Sequence, residues 1–358
     1  MRTAFKELIF FKKKYLLIEL LVVLMMFMVT FLSGLSNGLA RAVSASVETM
    51  NATNFILSDD AEGIMTYSNL TNSLQDKIDH LGLSSQASLN IGRSNIKIDK
   101  HALDITYFSV DSDSFLAPTL ISGHSFSKNM TIVLDKSFKD GGIKLGDVVM
   151  DKSSGLELTV VGFTKDQLYG HTSAGYISKD TWKTLYQKNN PQYIWQPQAI
   201  ATKDNKVKKV GEQLAVWSKS DLIKKIPGYS AEQSTLQMIL WVLVVASAAI
   251  LGVFFYIITL EKRQEFGVMK AIGMKMSEIA RIQLAQSVLL SIFGVIVGDG
   301  LAYVISLFLP VSMPFYLKFE NLAGVSLAFI AICLGASIFS ILKVSKIDPI
   351  EIVNGGDI

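Results

Sequence analysis

The chain has 358 residues, of which 50% are hydrophobic and 18% are charged, and its formal net charge is +3. Soluble domains carry about a quarter charged residues, so this composition is typical of a membrane protein. The small net charge argues against nucleic acid as a partner. A single cysteine excludes a disulfide framework within one chain, and the four histidines have no metal-ligand spacing.

The first segment, 1–14, mixes apolar and basic residues and predicts an amphipathic helix at the inner membrane surface. The apolar run that follows, 15–40, predicts a first transmembrane helix, because about 20 apolar residues span the roughly 30 Å hydrocarbon core. A cleaved signal peptide is the alternative for residues 1–40, since small residues follow the run. The length of the run favours an uncleaved anchor.

Two pairs of glycines have four-residue spacing within apolar runs: Gly34 with Gly38, and Gly294 with Gly298. Small residues on one helical face let helices pack closely in lipid, where the hydrophobic effect does not drive them together. We therefore expect a close helix pair at Gly34 and Gly38, and the same arrangement at the second pair.

Residues 41–233 have the mixed composition of a soluble domain, and their patterns predict an α+β fold. Alternating apolar and polar residues predict strands within 88–99, 102–110, 130–135 and 142–164, the last as two strands joined by a Ser-Ser-Gly turn. Helical patterns occupy 179–188 and 205–226. We expect one folded domain between the first and second spans.

The rest of the chain predicts three more transmembrane helices, which gives a 1 + 3 arrangement. The boundaries are 234–260, 282–309 and 322–343 for the spans, 310–321 for a short extracellular loop and 344–358 for a cytoplasmic tail. Lys and Arg flank the first span on its N-terminal side and the second and fourth spans on their C-terminal side. Such residues favour the cytoplasm, so we expect a multi-pass protein of the cell membrane with both termini cytoplasmic and the 41–233 domain extracellular.

The segment 261–281, between the second and third spans, predicts a basic amphipathic helix on the cytoplasmic surface. Its apolar residues fall on or near one helical face: Phe266, Val268, Met269, Ile272, Met276 and Ile279. An interfacial anchor is the simpler interpretation. Because the segment joins two spans directly, it would also serve as a coupling helix that a cytoplasmic partner moves.

The motifs of P-loop nucleotide binding, G-x-x-x-x-G-K-[ST], and of zinc proteases, H-E-x-x-H, are absent from the sequence. We therefore expect no ATPase site of the chain's own, no metal site and no enzymatic activity. Asp299 lies deep in the third span, where a hydrogen-bonded structural group is favoured over a proton path.

The stretch "EKRQEFGVMKAIGMKMSEIARIQLAQSVLLSIFGVIVG", residues 261–298, resembles the signature region of the FtsX-like, MacB-type permeases of ABC transporters. The terminal "VSKIDPIEIVNG", residues 344–355, is similar to the closing motif of that family. The resemblance implies a transport subunit that works as a homodimer with two copies of a separate cytoplasmic ABC ATPase. It also implies that ATP-driven motion is coupled through six residues of the signature: Glu265, Gly267, Met269, Lys270, Ala271 and Gly273.

Within that family, the beginning of the chain and the stretches 168–178 and 226–239 look like the permease subunit of haem-regulated transporters of Gram-positive bacteria. The resemblance implies that haem is a transported substrate and not an intrinsic cofactor. It singles out Arg41, Tyr169 and Tyr229 as haem-binding residues. Ordinary interfacial anchors are the alternative for Arg41 and Tyr229, which flank the first and second spans.

The expected function is therefore a permease that exports haem from the cell membrane, driven by its ATPase through a mechanical stroke. Haem has an apolar macrocycle, two propionates that need cationic or hydrogen-bonding partners, and an iron that accepts Tyr, Met or His. Two alternatives remain open. The same machine could export antimicrobial peptides or other amphiphiles, or the protein could be an FtsX-like transmembrane relay that activates a cell-wall hydrolase.

Overall fold

In a computed structural model of the chain, the described residues are 10, 12–98, 101–205, 207, 210–310 and 313–345. The amphipathic helix expected over 1–14 and the tail expected over 344–358, with its closing motif, lie almost entirely outside them. The chain forms two compact units. One is Leu39–Gln233, and the other combines Met1–Gly38 with Ser234–Ile358.

The helices are α1 (Lys12–Thr49), α2 (Asn72–Asp79), α3 (Lys136–Asp140), α4 (Lys179–Asn189), α5 (Lys219–Lys224), α6 (Tyr229–Glu261), α7 (Arg263–Ala271), α8 (Met276–Ser306) and α9 (Phe319–Ser345). The strands are β1 (Asn54–Ser58), β2 (Ala87–Ile98), β3 (His101–Ser109), β4 (Leu120–Gly123), β5 (Thr131–Asp135), β6 (Val148–Asp151), β7 (Glu157–Thr164), β8 (Leu168–Tyr169), β9 (Thr172–Ile177), β10 (Ala199–Thr202) and β11 (Leu214–Ser218). Within the described residues, four helices are long and apolar enough to cross a membrane: α1, α6, α8 and α9. The expected fold class, four apolar helices with an α+β domain between the first and second, is confirmed.

In the membrane unit, apolar side chains of α1, α6, α8 and α9 form one cluster that includes the fully buried Val22, Met26 and Leu251. Helix α8 packs directly on α1 at two glycines. A Cβ at Gly294 would lie 2.4 Å from Val22 Cγ1, and one at Gly298 would lie 2.9 Å from Met26 Cβ. Only glycine leaves room for this approach, so the spacing of the second glycine pair has the packing role expected of it.

Gly34 and Gly38 also permit a close approach, but their partner differs from the helix that we expected. A Cβ at Gly34 would lie 2.5 Å from the Phe315 ring, and one at Gly38 would lie 2.2 Å from the Pro314 carbonyl oxygen. The Tyr316 N–H donates to the Gly34 carbonyl at 3.0 Å. The two glycines therefore seat the segment that precedes α9 against α1, and a loop takes the space that their missing side chains leave.

A buried polar joint connects α1, α6 and α8. The side-chain oxygen of Gln286 in α8 accepts hydrogen bonds from the Lys262 ammonium at 2.9 Å and from the Tyr15 hydroxyl at 3.3 Å. Lys262 lies between α6 and α7, is 5% exposed, and places its ammonium 5.4 Å from the centre of the Tyr15 ring. A buried cation needs such partners, because its removal from water is otherwise strongly unfavourable.

Asp299 of α8 is held by hydroxyl groups on two other helices. Thr30 Oγ1 of α1 donates to its carboxylate at 2.6 Å, and Ser326 Oγ of α9 donates at 2.9 Å. These bonds satisfy the carboxylate inside an apolar helix bundle, which is the structural role that we favoured for it.

The α+β domain is built on a mixed sheet with the strand order β11-β1-β10-β2-β3-β9-β5-β7-β4, in which β6 joins β2 and β7, and β8 pairs with β9. The pairs β3–β9 and β5–β7 are parallel. The strands expected in the first three alternating stretches are β2, β3 and β5, and the fourth stretch forms the antiparallel β6–β7 pair. The rings of Phe108, Tyr169 and Tyr176 pack together in the largest core cluster of the domain.

The helix expected over 205–226 is wrong for most of its length. Residues Leu214–Ser218 form β11, which pairs antiparallel with β1 near the start of the domain, and among the described residues of this stretch α5 is the helical part. Val216 and Trp217 suit a strand because β-branched and aromatic side chains pack well on a pleated surface. Ser218 then caps α5 by accepting from the Asp221 N–H at 3.2 Å. Pairing with a strand far away in the sequence overrides the local helical pattern.

The single amphipathic helix expected over 261–281 is instead divided between two helices. Helix α7 ends at Ala271, Gly273 has a φ of +94°, and α8 begins at Met276. A left-handed residue of this kind ends a helix, and glycine adopts it without steric strain. The Glu278 carboxylate then accepts from the Lys275 N–H at 3.1 Å and stabilises the start of α8.

Candidate functional site around the Gly170–His171 turn

Strands β8 and β9 are joined by a two-residue turn made of Gly170 and His171. Their φ values of +55° and +65° are those of a type I′ turn, which matches the twist of a hairpin. Histidine is one of the few side chains that tolerate this conformation. The backbone N–H groups of Gly170 and His171 donate to the Val43 and Ala42 carbonyls of α1 at 2.9 and 3.0 Å, and Arg93 Nη2 donates to the Gly170 carbonyl at 2.6 Å.

An ion pair and a histidine–carboxylate contact flank the turn. Arg41 of α1 lies 3.3 Å from a carboxylate oxygen of Asp166, just before β8, with the two side chains 23% and 51% exposed. His171 Nε2 lies 3.2 Å from a carboxylate oxygen of Glu232 in α6, with the side chains 54% and 24% exposed. The hairpin is therefore tied to α1 through the Arg41–Asp166 ion pair and to α6 through the His171–Glu232 contact. Both pairs are accessible to solvent, so each holds its partners with a modest free energy.

Tyr169 is part of the domain core rather than of the exposed turn. Its side chain is 5% exposed, and its ring meets the Phe108 ring edge-on at a centroid distance of 5.7 Å. Burial raises the pKa of Tyr169 to about 12, an effect that the nearby Arg93 guanidinium partly offsets. The phenol is therefore neutral at physiological pH, and in this structure a bulky ligand does not reach it.

Tyr229 is the first residue of α6 and is half-buried. Its side chain packs against the same core cluster that contains Tyr169, and its N–H donates to the Ile226 carbonyl at 3.0 Å. Arg41, Tyr169 and Tyr229 thus all belong to the Leu39–Gln233 unit. Arg41 pairs with the segment that leads into the hairpin, Tyr169 lies within the hairpin, and Tyr229 begins the helix that carries Glu232, the partner of His171.

Sequence reasoning missed three residues of this arrangement, Asp166, His171 and Glu232. The Gly-His pair between two short apolar stretches was a readable turn signal, since glycine supplies the left-handed conformation. Nothing local indicated the Arg41–Asp166 and His171–Glu232 contacts, because each joins residues that are distant in the sequence. Together these groups offer a guanidinium for an anionic ligand and an exposed imidazole for a metal ion or a hydrogen bond, with both already engaged by carboxylates.

A second candidate site is the α7 segment in the membrane unit. Its apolar residues point in two directions. Phe266 and Ile279 are buried against each other, with Met269 and Met276 packed beside them. Val268 and Ile272 are instead 64% and 74% exposed. The signature residues Glu265, Ala271 and Gly273 are exposed as well. One face of α7 therefore packs on the helix bundle, and the other presents apolar side chains with a carboxylate nearby.

Comparison with known proteins identifies the family that the chain resembles. Residues 238–349 match the family described as FtsX-like permease C-terminal. Over 357 residues the chain is 30% identical to a Staphylococcus haemolyticus protein provisionally named hemin transport system permease protein HrtB, with 99% of each chain covered. It is 29% identical over 357 residues to a Staphylococcus epidermidis protein of the same name, covering 99% of this chain and 100% of the other.

Two solved structures are similar to parts of the chain. One is the extracellular domain of the noncanonic ABC-type transporter YknZ from Gram-positive bacteria, at 15% identity and a TM-score of 0.34, covering 46% of this chain and 99% of that one. The other is the periplasmic region of MacB from Actinobacillus actinomycetemcomitans, at 12% identity and a TM-score of 0.35, covering 49% and 93%. Both scores are low, so the assignment depends on the family match and the full-length relatives.

The four apolar helices, the inserted α+β domain and the full-length relatives define a multi-pass membrane protein that is the permease subunit of an ABC transporter. The chain belongs to the FtsX-like permease family. A permease of this class implies a separate ATPase as its partner.

Proposed function

We propose that this permease exports haem from the cell membrane of a Gram-positive bacterium, as a homodimer driven by two copies of a cytoplasmic ATPase. The observation that carries the proposal is the full-length similarity, at 30% identity over 99% of both chains, to a protein named for hemin transport. The chemistry of the Gly170–His171 turn supports it. Haem presents carboxylates and an iron atom, and the turn presents a guanidinium and an imidazole.

Arg41 is the residue that we assign to a haem propionate. Its guanidinium is partly exposed and already holds the Asp166 carboxylate, so a propionate would take the place of a group with the same chemistry. For the iron we assign His171 or Tyr229, since both side chains reach solvent in part. Tyr169 is given a positioning role, because its buried ring fixes the strand from which the turn emerges.

The same proposal sets the orientation of the chain. Lys and Arg follow α6 and begin α7, and they also accompany the first helix at its N-terminal end. The preference of these residues for the cytoplasm puts both termini and α7 inside the cell and the α+β domain outside. Haem that has partitioned into the outer leaflet could then reach the domain without crossing the hydrocarbon core.

Coupling to the ATPase is assigned to the exposed face of α7. Val268 and Ile272 would be buried by the ATPase, and Glu265 would fix its orientation through a cationic partner. Because α7 packs on α8 through Phe266 and Ile279, a push on its outer face would move the helix bundle in a mechanical stroke.

The test is the ATPase activity of the permease with its ATPase in lipid, measured against haemin, iron-free porphyrin and an amphiphilic peptide. We expect saturable stimulation by haemin that falls in Arg41→Gln and Tyr229→Phe, while the surface controls Lys144→Gln and Tyr67→Phe behave as the parent chain. Glu265→Gln should retain haemin binding and lose stimulation. Stimulation by the peptide and not by haemin would transfer the proposal to another amphiphile, and indifference to every ligand would favour the signalling relay.

A further inference from the structure

Glu19 of α1 carries a carboxyl group that the helix bundle buries without a partner. Both of its side-chain oxygens are enclosed, and neither accepts a hydrogen bond. Its neighbours Ile18 and Val22 belong to the apolar cluster of the membrane unit. On the side of α8, a Cβ at Gly294 would lie 3.2 Å from Glu19 Oε1, so the missing side chain leaves the space that the carboxyl group occupies.

The titratable groups around Glu19 do not compensate a negative charge on it. Cys333 of α9 lies near it and is fully buried, but a thiol brings no positive charge. Tyr15, one helical turn earlier in α1, donates to Gln286, and so does the Lys262 ammonium at the α6–α7 junction. Among the residues that the structure describes, no cation therefore donates to Glu19. An isolated charge in such surroundings is strongly disfavoured, so the carboxyl group needs a proton.

Asp299 of α8 shows how the same bundle accommodates an acid by other means. Its carboxylate accepts hydrogen bonds from Thr30 at 2.6 Å and from Ser326 at 2.9 Å. Glu19 has no donor of this kind. The two acids therefore differ in what stabilises them, which is hydroxyl groups for Asp299 and a bound proton for Glu19.

A line of buried polar side chains on α8 leads from its first turns towards Glu19. Their spacing of three or four residues places them on one helical face, and none is more than 3% exposed: Gln283, Gln286, Ser287 and Ser291. Ser287 donates to the Ser337 hydroxyl of α9 at 2.7 Å, and Gln283 Oε1 is buried without a partner. The line ends at Gly294, beside Glu19. Hydroxyl groups both donate and accept, so they can relay a proton or bind the water that carries it.

From these observations we infer that Glu19 is a proton-binding site of the membrane unit. The carboxyl group holds its proton while α1 packs on α8, and it exchanges this proton with the aqueous phase at the α7 end of the bundle along the polar face of α8. In the binding step a hydronium ion gives its proton to the carboxylate oxygen and leaves as water. A metal cation would need several oxygen ligands, and the described residues contain no group of three metal-ligating side chains.

Proton binding at Glu19 is linked to the packing of the helices. A solvated glutamate ionises at about pH 4.3, whereas the packed arrangement keeps the proton at neutral pH. The packed arrangement therefore binds more protons than the unfolded chain, so this contribution to stability falls as the pH rises. Glu19→Gln is neutral at every pH. Its melting temperature should exceed that of the parent chain at neutral and alkaline pH, and the difference should shrink as the medium is acidified.

The first test reads the proton directly, on the full-length permease in lipid nanodiscs at neutral pH. The infrared difference spectrum between the parent chain and Glu19→Gln should contain the carbonyl stretch of a protonated carboxyl group, which a carboxylate lacks. Glu320→Gln is the matched control, because the Glu320 carboxylate is 79% exposed and pairs with Lys318. It should remove no such band.

A second measurement needs no variant at Glu19. A hydrophobic carbodiimide adds to protonated carboxyl groups within a membrane, and the modified peptide is identified by its mass. We expect modification of Glu19 in the parent chain at neutral pH. If Glu19→Gln fails to fold, this measurement carries the decision.

Transfer to heavy water tests the route. Ser287→Ala and Ser291→Ala should slow the deuterium exchange of the carboxyl band by about fivefold each, the equivalent of one lost hydrogen bond. Ser306→Ala is the matched control on the same helix, because its hydroxyl is exposed and donates to the Tyr303 carbonyl at 2.6 Å.

The inference is overturned if the carbodiimide leaves Glu19 unmodified or if the protonated band is absent at neutral pH. It is also overturned if the two serine variants exchange as fast as Ser306→Ala, or if Glu19→Gln melts with the parent chain at every pH. These measurements follow one carboxyl group without haemin or ATP. Their outcome is therefore independent of whether haemin stimulates the ATPase.

Discussion

Replacing Arg41 and replacing Asp166 should have opposite effects on haemin binding. If Arg41 binds a haem propionate, Asp166 competes with the ligand for the same guanidinium, because the two groups are 3.3 Å apart. Asp166→Asn should then tighten haemin binding. The side chains are 23% and 51% exposed, so the pair contributes about 0.2–1 kcal/mol, and its removal should lower the Kd by at most about fivefold.

Arg41→Gln should have the larger and opposite effect. Loss of a charge-assisted hydrogen bond at a partly exposed position costs about 1.4 kcal/mol, which weakens haemin binding by about tenfold. The double variant should bind like Arg41→Gln alone, since Asp166 acts only through the arginine. Haemin titration followed by its absorbance spectrum measures all three, and Asp221→Asn, which breaks an exposed pair with Lys224, is the matched control. If Asp166→Asn weakens binding as much as Arg41→Gln does, the pair is structural and the competition argument fails.

Three further predictions concern the fold and its titration. Gly294→Ala should destabilise the permease by about 1–3 kcal/mol in thermal or denaturant unfolding, because the new Cβ would meet an α1 side chain at 2.4 Å. Gly300→Ala on the same helix should leave the stability unchanged, because its Cβ would have nothing within 4 Å. Asp151→Ala should destabilise the α+β domain by about 2–4 kcal/mol, because the buried Asp151 carboxylate accepts hydrogen bonds from hydroxyl and backbone groups of three neighbours. The control Asp147→Ala replaces a half-buried carboxylate and should lower the stability much less. Equal losses of stability in the two variants would contradict this reasoning. Tyr169 should ionise near pH 12 rather than near pH 10. The ionisation is followed by ultraviolet absorbance, and this signal should disappear in Tyr169→Phe. The contribution of the neutral phenol to stability is present below pH 10 and is lost as the pH rises through 12.

The membrane spans were predictable because the thickness of the bilayer fixes how long an apolar run must be. The strands β2, β3 and β5 were predictable because their sequences are rich in β-branched and aromatic residues, although all five residues of β5 are buried and its sequence therefore lacks a polar face. The strand Leu214–Ser218 was not, since its partner lies at the other end of the domain and its own residues also fit a helix. The break at Gly273 was readable as a helix end, but the regular apolar spacing around it favoured one continuous helix.

The candidate site was harder to predict than the fold. Family resemblance supplied Arg41, Tyr169 and Tyr229, and their roles as haem ligands stay predictions. The structure shows that these residues differ in burial, which the sequence did not indicate: Tyr169 lies in the core, whereas Arg41 reaches solvent. The sequence did not indicate that Asp166 lies beside Arg41 or that Glu232 lies beside His171. Ion pairs between distant residues leave no local pattern.

The two hydrogen bonds that Gln286 accepts indicate which relative movements of the helices keep the bundle intact. The one side-chain oxygen of Gln286 accepts from Tyr15 near the start of α1 and from Lys262 at the α6–α7 junction, so side chains from three places in the bundle meet at a single atom. Tilting the three helices as a body leaves both bonds intact. Sliding any one helix along another by a residue, about 1.5 Å, would strain at least one of these buried bonds. If the ATPase loads α7 as proposed, these bonds favour a tilt of the three helices together, with the register between them kept.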